Sequence, residues 1–103
     1  MELRWVDEAY EAWEATADYI LKEWGANALE NFVTKTEAWR DILKKSPKIG
    51  KIEPLLKNRL TVYRSIVLTP HNKMIYTIKD DIILIVDFWD TRREPNNQAD
   101  RIK

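Results

Sequence analysis

A chain of 103 residues, 45% of them hydrophobic, has room for one domain with one core. The absence of cysteine excludes disulfides and thiolate metal sites, and no apolar run approaches the roughly 20 residues that span a membrane. The net charge of zero hides a segregation, because residues 1–24 carry seven acidic and two basic side chains (net −5) whereas residues 35–73 carry three acidic and ten basic (net +7).

The N-terminal quarter predicts a strand and a helix. Residues 2–6 alternate well enough for a short strand, and Asp7 is placed to cap a helix. Apolar residues then recur at helical spacing, and Gly25 is the expected C-terminal stop. The expected inner stripe of this helix consists of Val6, Tyr10, Trp13, Ala17, Ile20 and Trp24.

A second helix is predicted directly after the first. Asn27 and Glu30 resemble a capping box at its start, and Ser46-Pro47 ends it. A linker this short predicts an antiparallel helical hairpin. Four tryptophans fall on the inferred inner faces and are expected in the core: Trp5, Trp13, Trp24 and Trp39.

The C-terminal half predicts a meander of strands. Residues 48–59 read as a loop or weak strand, residues 60–68 as a half-buried strand, and residues 74–78 and 82–89 as two more strands. Turns fall at residues 70–72 and at Asp80-Asp81. The predicted architecture is α+β, with an N-terminal strand and a helical hairpin packed on a small twisted antiparallel sheet. Residues 1–103 form one domain whose tail, about residues 96–103, is polar.

One segment has the composition of a phosphate-handling loop. Glu53 lies near Lys51, and a carboxylate beside cations suits a general base with charge stabilisation, the alternative being an ordinary exposed loop. The basic stretch 35–73 suits phosphate or an acidic partner, the alternative being a solvated surface. His71 is the only histidine and lies in a turn, so neither a metal nor a cofactor is expected.

Arginines mark two further candidate positions. Arg64 lies within a predicted strand, where it either faces a ligand on an open sheet face or pairs with Asp87. Arg92 and Arg93 follow the most apolar strand directly, and they either grip phosphate or carboxylate or only solubilise the strand end.

The order, spacing and length of these features resemble the RelE/ParE superfamily of bacterial type II toxins, and the ending resembles its plasmid-stabilisation, ParE-like subgroup. No single motif carries the resemblance, which covers nearly the whole chain. The residues that carry it are Trp5, Ala9, Ala17, Ile20, Trp24, Phe32, Ser46-Pro47, Gly50, Tyr63-Arg64, the stretch 76–82 and the stretch 90–95.

The resemblance implies a toxin but leaves its target open. Ribonuclease members cut mRNA in the ribosomal A site, and in that case Glu53 inherits the role of base and Lys73 that of a phosphate contact. The chain departs from the ribonuclease pattern at the positions of the proton-donating histidine and tyrosine, where it has Thr91 and Arg92. ParE-like members also lack those acids and poison DNA gyrase. The expected target- or phosphate-binding residues are Lys51, Arg59, Arg64, Lys73, Arg92 and Arg93.

Three functional hypotheses follow from the resemblance. The favoured one is a non-catalytic growth inhibitor that binds DNA gyrase, and the alternatives are a ribosome-dependent ribonuclease and a degenerate, non-toxic binding domain. Either toxin implies a cognate antitoxin, with an extended segment that folds on binding against the helical hairpin and the sheet edge. We expect a cytoplasmic protein without membrane contact, and the oligomeric state stays open.

Overall fold

The computed structural model describes residues 1–92 and 98–102, and in it helices α1 and α2 pack on a five-stranded sheet. Strand β1 is followed by both helices, then by the short strand β2 and a single 3₁₀ turn, and finally by three longer strands. The elements are β1 (Glu2–Trp5), α1 (Asp7–Trp24), α2 (Ala26–Lys45), β2 (Lys51–Ile52), the 3₁₀ turn (Pro54–Leu56), β3 (Arg64–Thr69), β4 (Asn72–Lys79) and β5 (Ile82–Asp90).

The sheet has the strand order β1-β5-β4-β3-β2, which confirms the predicted α+β architecture. Strands β2 to β5 pair in antiparallel fashion. Strand β1 joins the meander as expected, but it runs parallel to β5, so the sheet is mixed rather than purely antiparallel. Strand β5 is therefore paired on both sides, which explains why its sequence is apolar on both faces.

The two helices are joined by Gly25 alone. Its φ of 93° is open to glycine but strained for other residues, and its N–H donates to the Leu21 carbonyl at 3.1 Å, so the predicted helix stop is confirmed. The predicted capping box at Asn27 is wrong, because α2 begins at Ala26 immediately after Gly25 and has no side-chain cap. Asp7 likewise is the first residue of α1 and makes no capping hydrogen bond.

The main core lies between the helices and one face of the sheet. Trp5, Trp13 and Trp39 pack at its margin and are partly buried, in line with the prediction. Trp24 contradicts the prediction, because its side chain at the last position of α1 is 70% exposed. The fully buried members of this core are Ala9, Leu43, Met74, Tyr76, Ile83 and Ile85.

The meander differs from the prediction at its start. The strand expected from residue 60 begins only at Arg64, and Leu60 is entirely exposed. Strand β2 is only two residues long and pairs with Arg64 and Ser65, and the pairing of β3 with β4 begins at Arg64 and Tyr76 although β4 continues to Lys79. Residues 60–62 therefore lie outside the ladder, and the Val62 carbonyl accepts from the Thr77 hydroxyl at 2.7 Å instead. The second turn is confirmed, since Asp80 and Asp81 both have positive φ (54° and 61°) and close a tight hairpin.

In the described part of the chain, neither α1 nor α2 nor any other helix is long and apolar enough to cross a membrane.

Candidate functional site

Glu53 and Lys73 form an ion pair that the fold encloses. Glu53 precedes the 3₁₀ turn, its side chain is completely buried, and its carboxylate accepts a hydrogen bond from the Leu55 N–H at 3.0 Å. Lys73 on β4 donates to the same carboxylate, and its Nζ lies 5.2 Å from the centroid of the Trp89 ring. The charge of the carboxylate is therefore balanced by Lys73, and its oxygens are shielded from solvent. The alternative prediction, that Glu53 lies in an ordinary exposed loop, is wrong.

A C-terminal turn covers the sheet face opposite the helices. Residues 98–102 place Ala99 and Ile102 in a second apolar cluster with Leu56, Ile75 and Trp89. This cluster lies on the other face because successive strand residues point to opposite sides of the sheet. The turn therefore fills a surface that would otherwise be open beside the ion pair.

Arg59 fastens that turn to the loop before β3. Its guanidinium donates to the carbonyl oxygen of Ala99 at 3.1 Å and also to the carbonyl oxygen of Ile102. Buried carbonyl groups need such partners, so this arginine stabilises the C-terminal turn. Of the predicted binding residues, Arg59 is thus committed to a contact within the chain.

Arg64 does not pair with Asp87, so that structural alternative is wrong. Strand β4 separates the strands that carry the two residues, and the Arg64 guanidinium instead donates to the Gly50 carbonyl at 2.7 Å and the Lys48 carbonyl at 3.3 Å. The Asp87 carboxylate pairs with Arg101 at 3.0 Å and accepts from the Trp89 indole N–H at 2.8 Å. Both side chains therefore hold loops and turns against the sheet.

Among the predicted cations that the structure describes, Lys51 and Arg92 are the exposed ones. Lys51 lies on the edge strand β2, and Arg92 follows β5, three strand positions away across the sheet. Arg92 pairs with Asp90 at 3.2 Å, and this hydrogen bond is the main reason that the pKa of Arg92 is raised above its ordinary value. Arg93 lies outside the described residues. The five predicted cations that the structure describes therefore do not converge on one site, and of the candidate residues described it brings together only Lys73 and Glu53.

A groove of about 640 Å³, which was not predicted from the sequence, lies between the helical hairpin and the end of β5. Tyr19 and Trp24 of α1 are 48% and 70% exposed along it, and Arg92 and Lys35 add positive charge. Small residues on the two helices leave this space open: Ala12, Ala15, Thr16 and Ala28. This run of small side chains is the sequence feature from which the groove could have been predicted.

The fold and these features define a class: a small α+β protein whose helical hairpin stands on a five-stranded sheet, as in the RelE/ParE toxins. Residues 3–95 match the family model described as ParE toxin of the type II toxin–antitoxin system parDE. The match spans nearly the whole chain, so the protein belongs to the ParE toxin family of type II toxin–antitoxin systems. A cognate antitoxin is implied by this membership.

Solved structures show the same fold at low sequence identity. A chain of the chromosomal ParDE system from P. aeruginosa superposes with a TM-score of 0.70 at 17% identity, covering 89% of this chain and 97% of that one. The YoeB/ParE toxin from Agrobacterium tumefaciens gives 0.62 at 19% identity, covering 87% and 98%. The YoeB dimer structure from Staphylococcus aureus gives 0.59 at 22%, covering 86% and 94%. No curated protein sequence matches the chain significantly.

Proposed function

We propose that this toxin arrests growth by binding an essential machine such as DNA gyrase, without catalysing a reaction, and that its cognate antitoxin neutralises it. The observation that carries the proposal is the burial of Glu53. A general base must come within hydrogen-bond reach of the proton that it removes. The Glu53 carboxylate has no exposed surface and is occupied by Lys73 and the Leu55 N–H.

The end of β5 supports the same proposal. A ribonuclease needs a group that protonates the leaving oxygen, and the chain offers Thr91 and Arg92 there. Hydrogen bonding to Asp90 raises the pKa of Arg92 further, so its guanidinium keeps its protons at any physiological pH. Such a group binds anions well and donates no proton.

The antitoxin would cover both an apolar and a basic surface. The groove beside Trp24 and Tyr19 suits an amphipathic segment that lays apolar side chains against the hairpin. Arg92, at the same groove, suits a carboxylate of that segment. We therefore expect the antitoxin to be acidic where it covers the end of β5.

A ribosome-dependent ribonuclease is the second candidate, and one contact favours it. A carboxylate and an ammonium group lie in direct contact at Glu53 and Lys73, which are the two residue types that base and phosphate contact require. Release of the C-terminal turn from Arg59 would expose Trp89, against which the Lys73 ammonium lies. The third candidate is a non-toxic member that keeps only the binding surfaces.

Pulse labelling separates the three candidates. The toxin is induced briefly in bacteria that lack the antitoxin, and the incorporation of labelled thymidine and methionine is followed side by side. We expect DNA synthesis to fall first. An earlier collapse of protein synthesis would favour the ribonuclease, and unchanged synthesis of both would favour the non-toxic binding domain. A non-inducible copy of the gene in the same strain is the matched control.

A further inference from the structure

A second concave surface lies on the helical hairpin, apart from the groove beside Trp24. It encloses about 600 Å³, and aromatic side chains from β1 and α1 form its wall. The ring centroids of Trp5, Tyr10 and Trp13 lie 6.2–6.4 Å from one another, and Tyr10 and Trp13 are stacked. Tyr10 is half exposed, and the Trp13 indole N–H is fixed by a 3.0 Å hydrogen bond to Thr36. The wall is therefore both accessible and rigid.

The lining of this aromatic pocket is strongly acidic. Asp7, Glu11 and Glu14 follow each other at spacings of four and three residues on one face of α1, and Glu37 faces them from α2. Among the described residues that line it, Arg40 is the only basic one, which gives these residues a net charge of −3. In the described part of the chain, no basic group lies within 4.0 Å of any of these four carboxylates, whereas Arg40 has Asp41 at 3.9 Å.

Like charges at helical spacings of three and four residues repel one another. A bound cation would relieve this repulsion. An apolar or acidic occupant would leave it in place or increase it. The net negative charge of the lining and its aromatic wall therefore favour the same kind of occupant, a basic side chain.

We propose that this pocket binds an arginine side chain of the antitoxin, with the identity of the partner resting on the function proposed above. Arginine fits better than lysine, because a planar guanidinium stacks on aromatic rings and donates to two carboxylates at once. The antitoxin would then carry opposite charges at its two contacts. A basic side chain would enter the pocket beside Trp13, and an acidic one would cover Arg92.

Binding of N-acetyl-arginine amide to the isolated toxin tests the pocket itself. Its neutral isostere N-acetyl-citrulline amide is the control ligand, and the indole N–H signals of Trp5 and Trp13 report binding by NMR. Glu14→Gln changes the pocket, and Asp18→Asn is the matched control because it removes a charge from the same helix outside the lining. We expect saturable binding of the arginine compound only, weakened roughly five-fold by Glu14→Gln and unchanged by Asp18→Asn.

Equal losses in both variants would mean diffuse attraction to an acidic helix and would overturn the proposal. Equal binding of the citrulline compound, or no binding, would overturn it as well. Neutralisation in cells by the antitoxin encoded beside the toxin then tests the occupant. Weaker rescue from the Glu14→Gln toxin than from Asp18→Asn supports the proposal, and equal rescue rules out the antitoxin as occupant. Because the titration involves no growth arrest, its failure leaves the proposed toxin activity untouched.

Discussion

Replacing Glu53 with glutamine tests whether the buried ion pair stabilises the fold. Glutamine keeps the length of the side chain and an oxygen that accepts from the Leu55 N–H, so the contact at 3.0 Å survives. The substitution removes the negative charge and puts an NH2 group in place of the oxygen that accepts from Lys73. Lys73 then remains against the protein without its counterion.

The magnitude follows from the surroundings of Lys73. Removing one partner of a fully buried pair costs about 3–5 kcal/mol, because the remaining charge has neither solvent nor partner. The Lys73 side chain is 19% exposed and its Nζ lies 5.2 Å from the Trp89 ring centroid, so part of its charge stays stabilised. We therefore expect Glu53→Gln to lower the free energy of unfolding by about 2 kcal/mol, and the Tm by about 8–16 °C for a domain of this size.

Thermal unfolding followed by circular dichroism at neutral pH measures the effect. Lys73→Met should cost about 3–4 kcal/mol, because it leaves the buried carboxylate uncompensated. The double variant should be more stable than the sum of the two losses, because it removes both charges together. If Glu53→Gln unfolds within about 0.5 kcal/mol of the unmodified protein, or if the two losses simply add, the reasoning about this pair is refuted.

Three further predictions concern other parts of the molecule. The Tyr76 hydroxyl accepts from the Gly50 N–H at 2.9 Å and donates to the Pro47 carbonyl at 2.7 Å, so Tyr76→Phe should lower the free energy of unfolding by about 1–3 kcal/mol in urea titrations. Burial raises the pKa of Tyr76 above 10.0, so as pH rises the unfolded chain loses the tyrosine proton before the folded protein does. The free energy of unfolding should therefore fall as pH rises above 10.0, and the contribution of Tyr76 to this fall should be absent from the phenylalanine variant. The φ of Asp81 is 61°, a value that glycine adopts without strain, so Asp81→Gly should raise the free energy of unfolding by about 0.5–1 kcal/mol and with it the Tm. An unchanged or lower Tm would contradict the turn geometry. Arg92→Gln should weaken antitoxin binding and reduce its salt dependence in calorimetry, and binding as tight and as salt-sensitive as before would contradict an acidic contact there.

The order of elements was predictable from the sequence because local signals mark it. Gly25 ends the first helix, Asp80-Asp81 closes the last hairpin, and the apolar run of β5 marks a strand that is paired on both sides. The exposure of Trp24 was not predictable, because helical spacing says which residues share a face and not where the sheet stops covering that face.

The surroundings of the candidate residues depend on contacts far apart in sequence. Glu53 has the neighbours of an exposed loop, yet the fold brings Lys73 to it from 20 residues away. Arg59 likewise meets Ala99 from 40 residues away. No local pattern encodes such pairs. The sequence therefore identified Glu53, Lys73 and Arg59 as candidates for binding or catalysis, but not the contacts within the chain that these residues make.

The most direct test of a non-catalytic toxin is the growth arrest caused by the double variant Glu53→Gln/Lys73→Met. This variant lacks both the proposed base and the proposed phosphate contact of a ribonuclease, and its Tm verifies that it is folded at the growth temperature. We expect that inducing it stops growth and lowers DNA synthesis as the unmodified toxin does. Loss of arrest by the folded variant, with loss of mRNA cleavage in ribosomes, would contradict a non-catalytic toxin.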